Sequence, residues 1–224
     1  MPINQEYNLL FIHIPKSGGT SVEECLGMRC SWKYENLDTC FGLIQSFSLL
    51  RLGFGTNFLQ HLTLSELCVL LGDDLKGLTA FSVIRDPWTR LLSSFCRKDP
   101  DLCALYSYKC HRDLHEISFE DYIELASWLD HPHLRPQWKF LCTSPGFSPD
   151  PRIRLFRQEH MLELESWLSQ QLNRSIHLAR SNVDVPGTSI PDMNPTKIQE
   201  LKNRVNDIYA QDLDLISRYC PIKA

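Results

Sequence analysis

No stretch of this 224-residue chain is apolar over the 20 or so residues that a bilayer-crossing helix needs. Its opening, "MPINQEYN", has neither the basic nor the apolar part of a secretory leader. A soluble, cytoplasmic protein is the expectation. Positive charge is also in short supply. Lys and Arg number 23 against 27 Asp and Glu, for a net charge of −4. That balance argues against nucleic acid as a partner, and any anion must be held by a local cluster rather than by the overall field. There is no CxxC pair among the nine cysteines, and the recurrence of Cys96, Cys103 and Cys110 lacks the histidine pair of a zinc site. No metal is therefore expected. Internal repeats and low-complexity linkers are missing too, so residues 1–224 are expected to form a single domain. With 43% hydrophobic residues the chain can bury a sizeable core.

What is present begins with "LLFIHIPKSGGTSVEECL", residues Leu9 to Leu26. The apolar run from Leu9 to Ile14 predicts a buried strand. A helix follows from Thr20 to about Met28, with Thr20 and Glu23 at the spacing of a capping box. Between them lie Lys16, Ser17, Gly18 and Gly19. A strand, a glycine-rich turn and a helix N-terminus together make an anion cradle. The first helical amides lack intrahelical acceptors, the helix dipole adds positive charge, and glycines allow close backbone approach. The pattern is not a Walker A loop, in which Lys follows the last glycine. An alternative at this point is an ordinary turn with Lys16 in solvent.

A second apolar run, Leu78 to Ile84, predicts another strand, and "RDPWTRLLSSF" follows it. Asp86 is the expected N-cap and Pro87 the first helical residue. Trp88, Leu91, Leu92 and Phe95 form the packing face, leaving Asp86, Arg90, Ser93 and Arg97 opposite it. Arg85 stands at the carboxyl edge of the sheet, where open α/β sheets bind ligands. It either pairs with a carboxylate such as Asp86 or joins Ser93 in clamping a phosphate. Further helices are expected over Leu62 to Leu71, Phe119 to Leu129 and Glu159 to Leu172, with one last helix from Asn194-Pro195 past Ile216. Further strands are expected at Ile153 to Phe156 and at "IHLA" from Ile176. Strands alternating with helices imply a mainly parallel sheet covered on both faces. Cys30 to Gln60, Cys110 to Phe119 and Pro145 to Pro151 are poorly patterned, as substrate loops often are.

"HIPKSGGTS" resembles the 5′-phosphosulfate loop of sulfotransferases. "IRDPWTRLLSSF" resembles their 3′-phosphate segment, with the same eight-residue step from Arg85 to Ser93. The likeness is greatest to the carbohydrate branch that includes the uronosyl 2-O-sulfotransferases. It extends to "HLRPQWKFL", "RLFRQEHM" and "IYAQDLDLI". The resemblance implies a P-loop NTPase-like α/β fold, a central mainly parallel sheet flanked by helices. It also implies 3′-phosphoadenosine 5′-phosphosulfate (PAPS) as donor and adenosine 3′,5′-bisphosphate as product. The acceptor would be a hydroxyl of a carbohydrate, glycolipid or small molecule.

On this resemblance Lys16 contacts the sulfate or the leaving oxygen. Ser17, Gly18, Gly19, Thr20 and Ser21 hold the 5′-phosphate, and Arg85 and Ser93 the 3′-phosphate. A hydroxyl acceptor needs a base, a role that suits histidine. The setting of His61, "FLQHLTLSEL", is similar to the catalytic-histidine segment of that branch. His13 is next in line, though a satisfied core residue is its expected role. His133, Arg135 and Gln137 either line the acceptor site or form a packing corner, Glu159 positions a loop or the acceptor, and His131 is expected at the surface. Two other readings stay open: a non-catalytic nucleotide-binding or scaffold protein of the same fold, and an atypical P-loop kinase.

Overall fold

The computed structural model describes residues 2–143, 148–179 and 193–220. Its strands are β1 (Ile3–Asn4), β2 (Leu9–Ile12), β3 (Thr79–Ile84) and β4 (Arg154–Arg157). Its helices are α1 (Gly19–Cys25), α2 (Phe47–Leu50), α3 (Leu64–Leu71), α4 (Pro87–Cys96), α5 (Pro100–Cys110), α6 (Phe119–Trp128), α7 (Trp138–Leu141), α8 (Met161–Leu172), α9 (Pro195–Ile208) and α10 (Ala210–Tyr219). The strands form one sheet in the order β1-β2-β3-β4. The short β1 runs antiparallel to β2, while β2, β3 and β4 are parallel.

Successive strand residues point to opposite faces, and here both faces are buried. Leu9 and Phe11 of β2 and Phe81 and Val83 of β3 pack with Val22 of α1 and Leu164, Trp167 and Leu168 of α8. Leu10, Ile12, Ala80 and Ile84 turn the other way, onto Leu64 and Leu67 of α3, Phe140 and Leu141 of α7, and Leu215 of α10. A separate helical cluster joins α4, α5, α6 and α9 through Trp88, Leu102, Phe119, Tyr122 and Leu201. β2 and β3 thus end side by side, each handing its last residues to the helix that follows.

Several expectations need correcting. Thr20 and Glu23 form no capping box. The N-cap of α1 is Gly18, with no side-chain cap, and Glu23 is turned inward with 3% exposure. Capping boxes do form between Thr63 and Glu66, at the start of α3, and between Ser118 and Asp121, at the start of α6. "IHLA" makes no strand. The amide of Ile176 donates to Ser169 Oγ and that of Leu178 to Glu165 Oε1, so α8 side chains hold the backbone groups that a sheet would need. The expected last helix is two helices, interrupted at Tyr209. That residue leaves helical geometry (φ −110°) while its buried hydroxyl donates to the Leu134 carbonyl. The helix α5 went unpredicted, although Asp99 caps it with Pro100 at its start. Arg90 is buried rather than on an open face, with its guanidinium donating to the carbonyls of Pro15 and Pro132. Of the loop Pro145 to Pro151, residues 145–147 lie outside the described residues.

Candidate active site

The turn after β2 is built from left-handed residues. Gly18 has φ 88°, and Lys16 has φ 69°, a region that a residue with a Cβ occupies only under strain. The Lys16 side chain extends to the C-terminal end of α4, where Nζ donates to the carbonyl of Arg97 at 3.0 Å. Burial lowers the Lys16 pKa to about 8. The cations of Arg97 and Arg85 push the same way, and Asp99 opposes them. Gly19 has no room for a side chain, since a Cβ there would lie 2.4 Å from His13 Cδ2.

At the end of β3, Arg85 is held from both sides. Gln137 Oε1 accepts from its amide at 2.9 Å and Gln137 Nε2 donates to its carbonyl at 2.8 Å. Gln137 in turn is anchored by Asp212 of α10, whose Oδ2 accepts from its amide. The guanidinium then reaches back to β2, with Nη1 donating to the Lys16 carbonyl at 3.1 Å and Nε to Thr89 Oγ1 at 3.1 Å. Asp86 does not pair with it. Its Oδ1 accepts from the Thr89 amide and caps α4.

These two turns open into one cleft of about 1290 Å³. Lys16, Gly18, Gly19, Thr20, Ser21, Arg85 and Ser93 all line it, and so do His61, His133 and Glu159. Ser17 does not. It is fully buried, and its hydroxyl donates to the Ile14 carbonyl. Gln137 and Arg135 are also absent from the lining, which corrects their placement on the acceptor side. Gln137 is occupied with the Arg85 backbone. Arg135 is paired with Asp130 at 2.9 Å and donates to the Gly55 carbonyl. Glu159 reaches the cleft rim but also fastens it, accepting from the Asp86 amide and from Arg157 Nε.

Four imidazoles form a chain of ring contacts, of which His13, His61 and His133 line the cleft. His61 is half-buried and lies edge-on to His13 (centroids 5.4 Å apart) and to His133 (5.7 Å). His131 stands 5.4 Å beyond His133 and is buried, not at the surface. Burial, followed by the charge of His13, drives the His61 pKa well below the usual imidazole value. Burial does the same to His133, and brings His131 down to about 4. His133 Nε2 is 3.7 Å from Asp99 Oδ2, and its Nδ1 has no hydrogen-bond partner among the described residues.

His13, second in line for the base, also lines the cleft, and Glu23, Arg97 and Asp99 are charged lining residues to which the sequence assigned no place in the site. Only Asp99 carries a local sign, the Asp-Pro pair that opens α5. Among the described residues no group of three His, Cys, Asp or Glu side chains is placed to hold a metal ion. None of the described helices is long and apolar enough to cross a membrane.

Comparison with curated proteins and with solved structures returns no match. A family model does match, over residues 1–215, and it is that of the sulfotransferases. The chain that joins these two strand tips around one cleft is a member of the sulfotransferase family, whose chemistry is sulfuryl transfer.

Proposed function

We propose that the protein transfers the sulfuryl group of PAPS to a hydroxyl of a carbohydrate, glycolipid or small-molecule acceptor. The observation that carries this reading is the shared cleft. It joins the lysine-glycine turn after β2 to Arg85 and Ser93 after β3, with the Arg85 guanidinium on the Lys16 carbonyl. The residues present suit a nucleotide with an anionic group at each end. Gly18, Gly19, Thr20 and Ser21 offer a loop and helix start to one group, beside the Lys16 ammonium. Arg85 and Ser93 offer a guanidinium and a hydroxyl to the other. PAPS, when bound, supplies the activated sulfuryl group.

Lys16 would stand beside the donor's leaving oxygen, where its ammonium would offset the negative charge that sulfuryl transfer develops there. As the new bond from acceptor oxygen to sulfur forms, the hydroxyl proton moves to His61. An imidazole held neutral by burial has its lone pair ready at neutral pH, and its partial exposure lets an acceptor reach it. Arg85 and Ser93 discriminate against ATP, which has no 3′-phosphate and would leave the clamp without its anion.

A thermal-shift titration tests the reading. Adenosine 3′,5′-bisphosphate raises Tm progressively as its concentration exceeds Kd, and ATP does so much less. Equal responses to the two would point to a kinase-like site, and no response to either to a scaffold. Radiolabel passing from PAPS into a fractionated glycan and lipid extract then identifies the acceptor. His61→Gln should retain bisphosphate binding while transfer falls by roughly 100-fold or more.

A further inference from the structure

Glu23 is a carboxylate in the interior. It sits beside Val22 on a helix that packs against the sheet, with 3% of its surface exposed. A buried charge of this kind is retained only with a partner, and it adds little to stability even then. The partner is His13, whose Nδ1 lies 2.5 Å from Glu23 Oε1. A carboxylate accepts only, so Nδ1 carries the proton and donates it. The opposite end of the ring, Nε2, faces Gly19, at which a Cβ would approach it to 2.5 Å. Phe11 stacks on the ring at 5.6 Å and 18°. His13 is therefore fixed by a carboxylate, by an aromatic face and by a residue that must be glycine.

The ring that depends on this arrangement is His61. It closes the short turn Leu59–His61, where its amide is taken by the Phe58 carbonyl. Its ring lies at 78° to His13, at 69° to His133 and at 66° to Phe58. The contacts that orient it are thus faces and edges of other rings. Among these three, His13 is the one anchored by a short charge-assisted hydrogen bond, and such bonds fix ring direction better than packing alone.

We propose that Glu23 and His13 are positioning residues for the proposed base. Glu23 locks the His13 ring through Nδ1–H, and the His13 ring sets the plane in which His61 meets the acceptor hydroxyl. The inference rests on the reading of His61 given above. It assigns a function to the first glutamate of "SVEEC", and it explains why Gly19 admits no side chain.

Glu23→Gln and His13→Gln test it, with Glu23→Asp as the variant that keeps the carboxylate should Glu23→Gln fail to fold. Three readouts are taken on each: the dissociation constant for adenosine 3′,5′-bisphosphate, kcat and KM for PAPS with the labelled acceptor fraction, and the His61 ring signals by NMR. In Glu23→Gln and His13→Gln the dissociation constant and KM stay within about threefold of the parent and kcat drops by roughly 10- to 100-fold, the scale expected for a misaligned catalytic group. The His61 signals shift, and Glu23→Asp recovers part of kcat. Parental kcat with parental His61 signals in Glu23→Gln would overturn the proposal and leave the pair a purely structural one. A parent protein that does not bind the bisphosphate refutes the underlying donor site instead, and the His61 signals still decide whether Glu23 governs that ring.

Discussion

Arg85 Nη1 donates to the backbone carbonyl of Lys16 across 69 residues of sequence, at 3.1 Å. The contact places a guanidinium at the end of one parallel strand over the turn that ends its neighbour. The two groups proposed to hold the donor's anions are therefore parts of one assembly, and a change in either disturbs the other.

Arg85→Lys keeps the charge but loses the fork. A lysine ammonium cannot hold the Lys16 carbonyl, Thr89 and a phosphate at once, because its donors radiate from a single atom. Isothermal titration should show bisphosphate affinity falling by about tenfold or more, the equivalent of about 1.4 kcal/mol. Affinity for ATP should scarcely change. Parental bisphosphate affinity in this variant would remove Arg85 from the 3′-phosphate clamp.

Gln137 acts at one remove. Its amide is fully buried and bridges the Arg85 backbone to Asp212. Gln137→Leu takes away the side-chain partner of both the Arg85 amide and the Arg85 carbonyl, while Asp212 keeps the backbone amides of residues 137 and 138, and each buried bond lost in this way costs about 1–3 kcal/mol. A Tm several degrees lower is expected, together with weaker bisphosphate binding, because the Arg85 backbone loses its clamp. A variant with lower stability and parental affinity at saturating fold would show that Arg85 holds its place without Gln137.

Those two residues mark how far the sequence could be read. Strand tips and helix starts are legible because their signals are local: an apolar run into Pro15, an Asp-Pro pair at Asp86, a glycine pair at Gly18 and Gly19. The Asp99-Pro100 pair carried the same local signal for α5, diluted by a helix without a clear apolar stripe. Glu23 was misread because capping-box spacing is a property of three residues, whereas its partner His13 is reached only once the strand and helix fold over each other. Gln137 and Arg90 look like exposed polar residues of a corner and a helix face. Their hydrogen-bond partners lie on segments 42 to 75 residues away, beyond any periodic pattern.

Lys16 sets a dependence on pH. Its pKa of about 8 in the folded protein lies below its ordinary value of 10.5. Between those values the unfolded chain binds more protons than the folded one, so stability rises with pH from about 8 to 10.5 and the penalty is fully present below 8. Lys16→Met should therefore raise Tm at pH 7, by a gain on the order of 1–3 kcal/mol after allowance for partial exposure. The gain should vanish near pH 10.5. The same variant should lose bisphosphate binding, as anion affinity requires the charged amine. In the parent, affinity falls as pH rises through about 8. Calorimetry in buffers of different ionisation enthalpy should detect proton uptake on binding near that pH. Binding without proton uptake there would place Lys16 outside the anion's reach.

Gly19 and His13 can be tested as a pair. Gly19→Ala puts a methyl group 2.4 Å from His13 Cδ2 and 2.5 Å from Nε2. The ring cannot swing away, because Glu23 holds one edge and Phe11 one face. Overpacking of this type costs about 1–3 kcal/mol. His13→Ala alone also destabilises, since it leaves the Glu23 carboxylate buried without its donor. The two changes share one cause of strain, and the double variant lacks the ring that the new methyl group would strike. A double-mutant cycle by urea unfolding should therefore show the pair to be less destabilising than the sum of the singles, with a coupling on the order of 0.5–3 kcal/mol. Strict additivity would mean that the His13 ring does not pack on Gly19, and the account of why this turn needs its second glycine would fail with it.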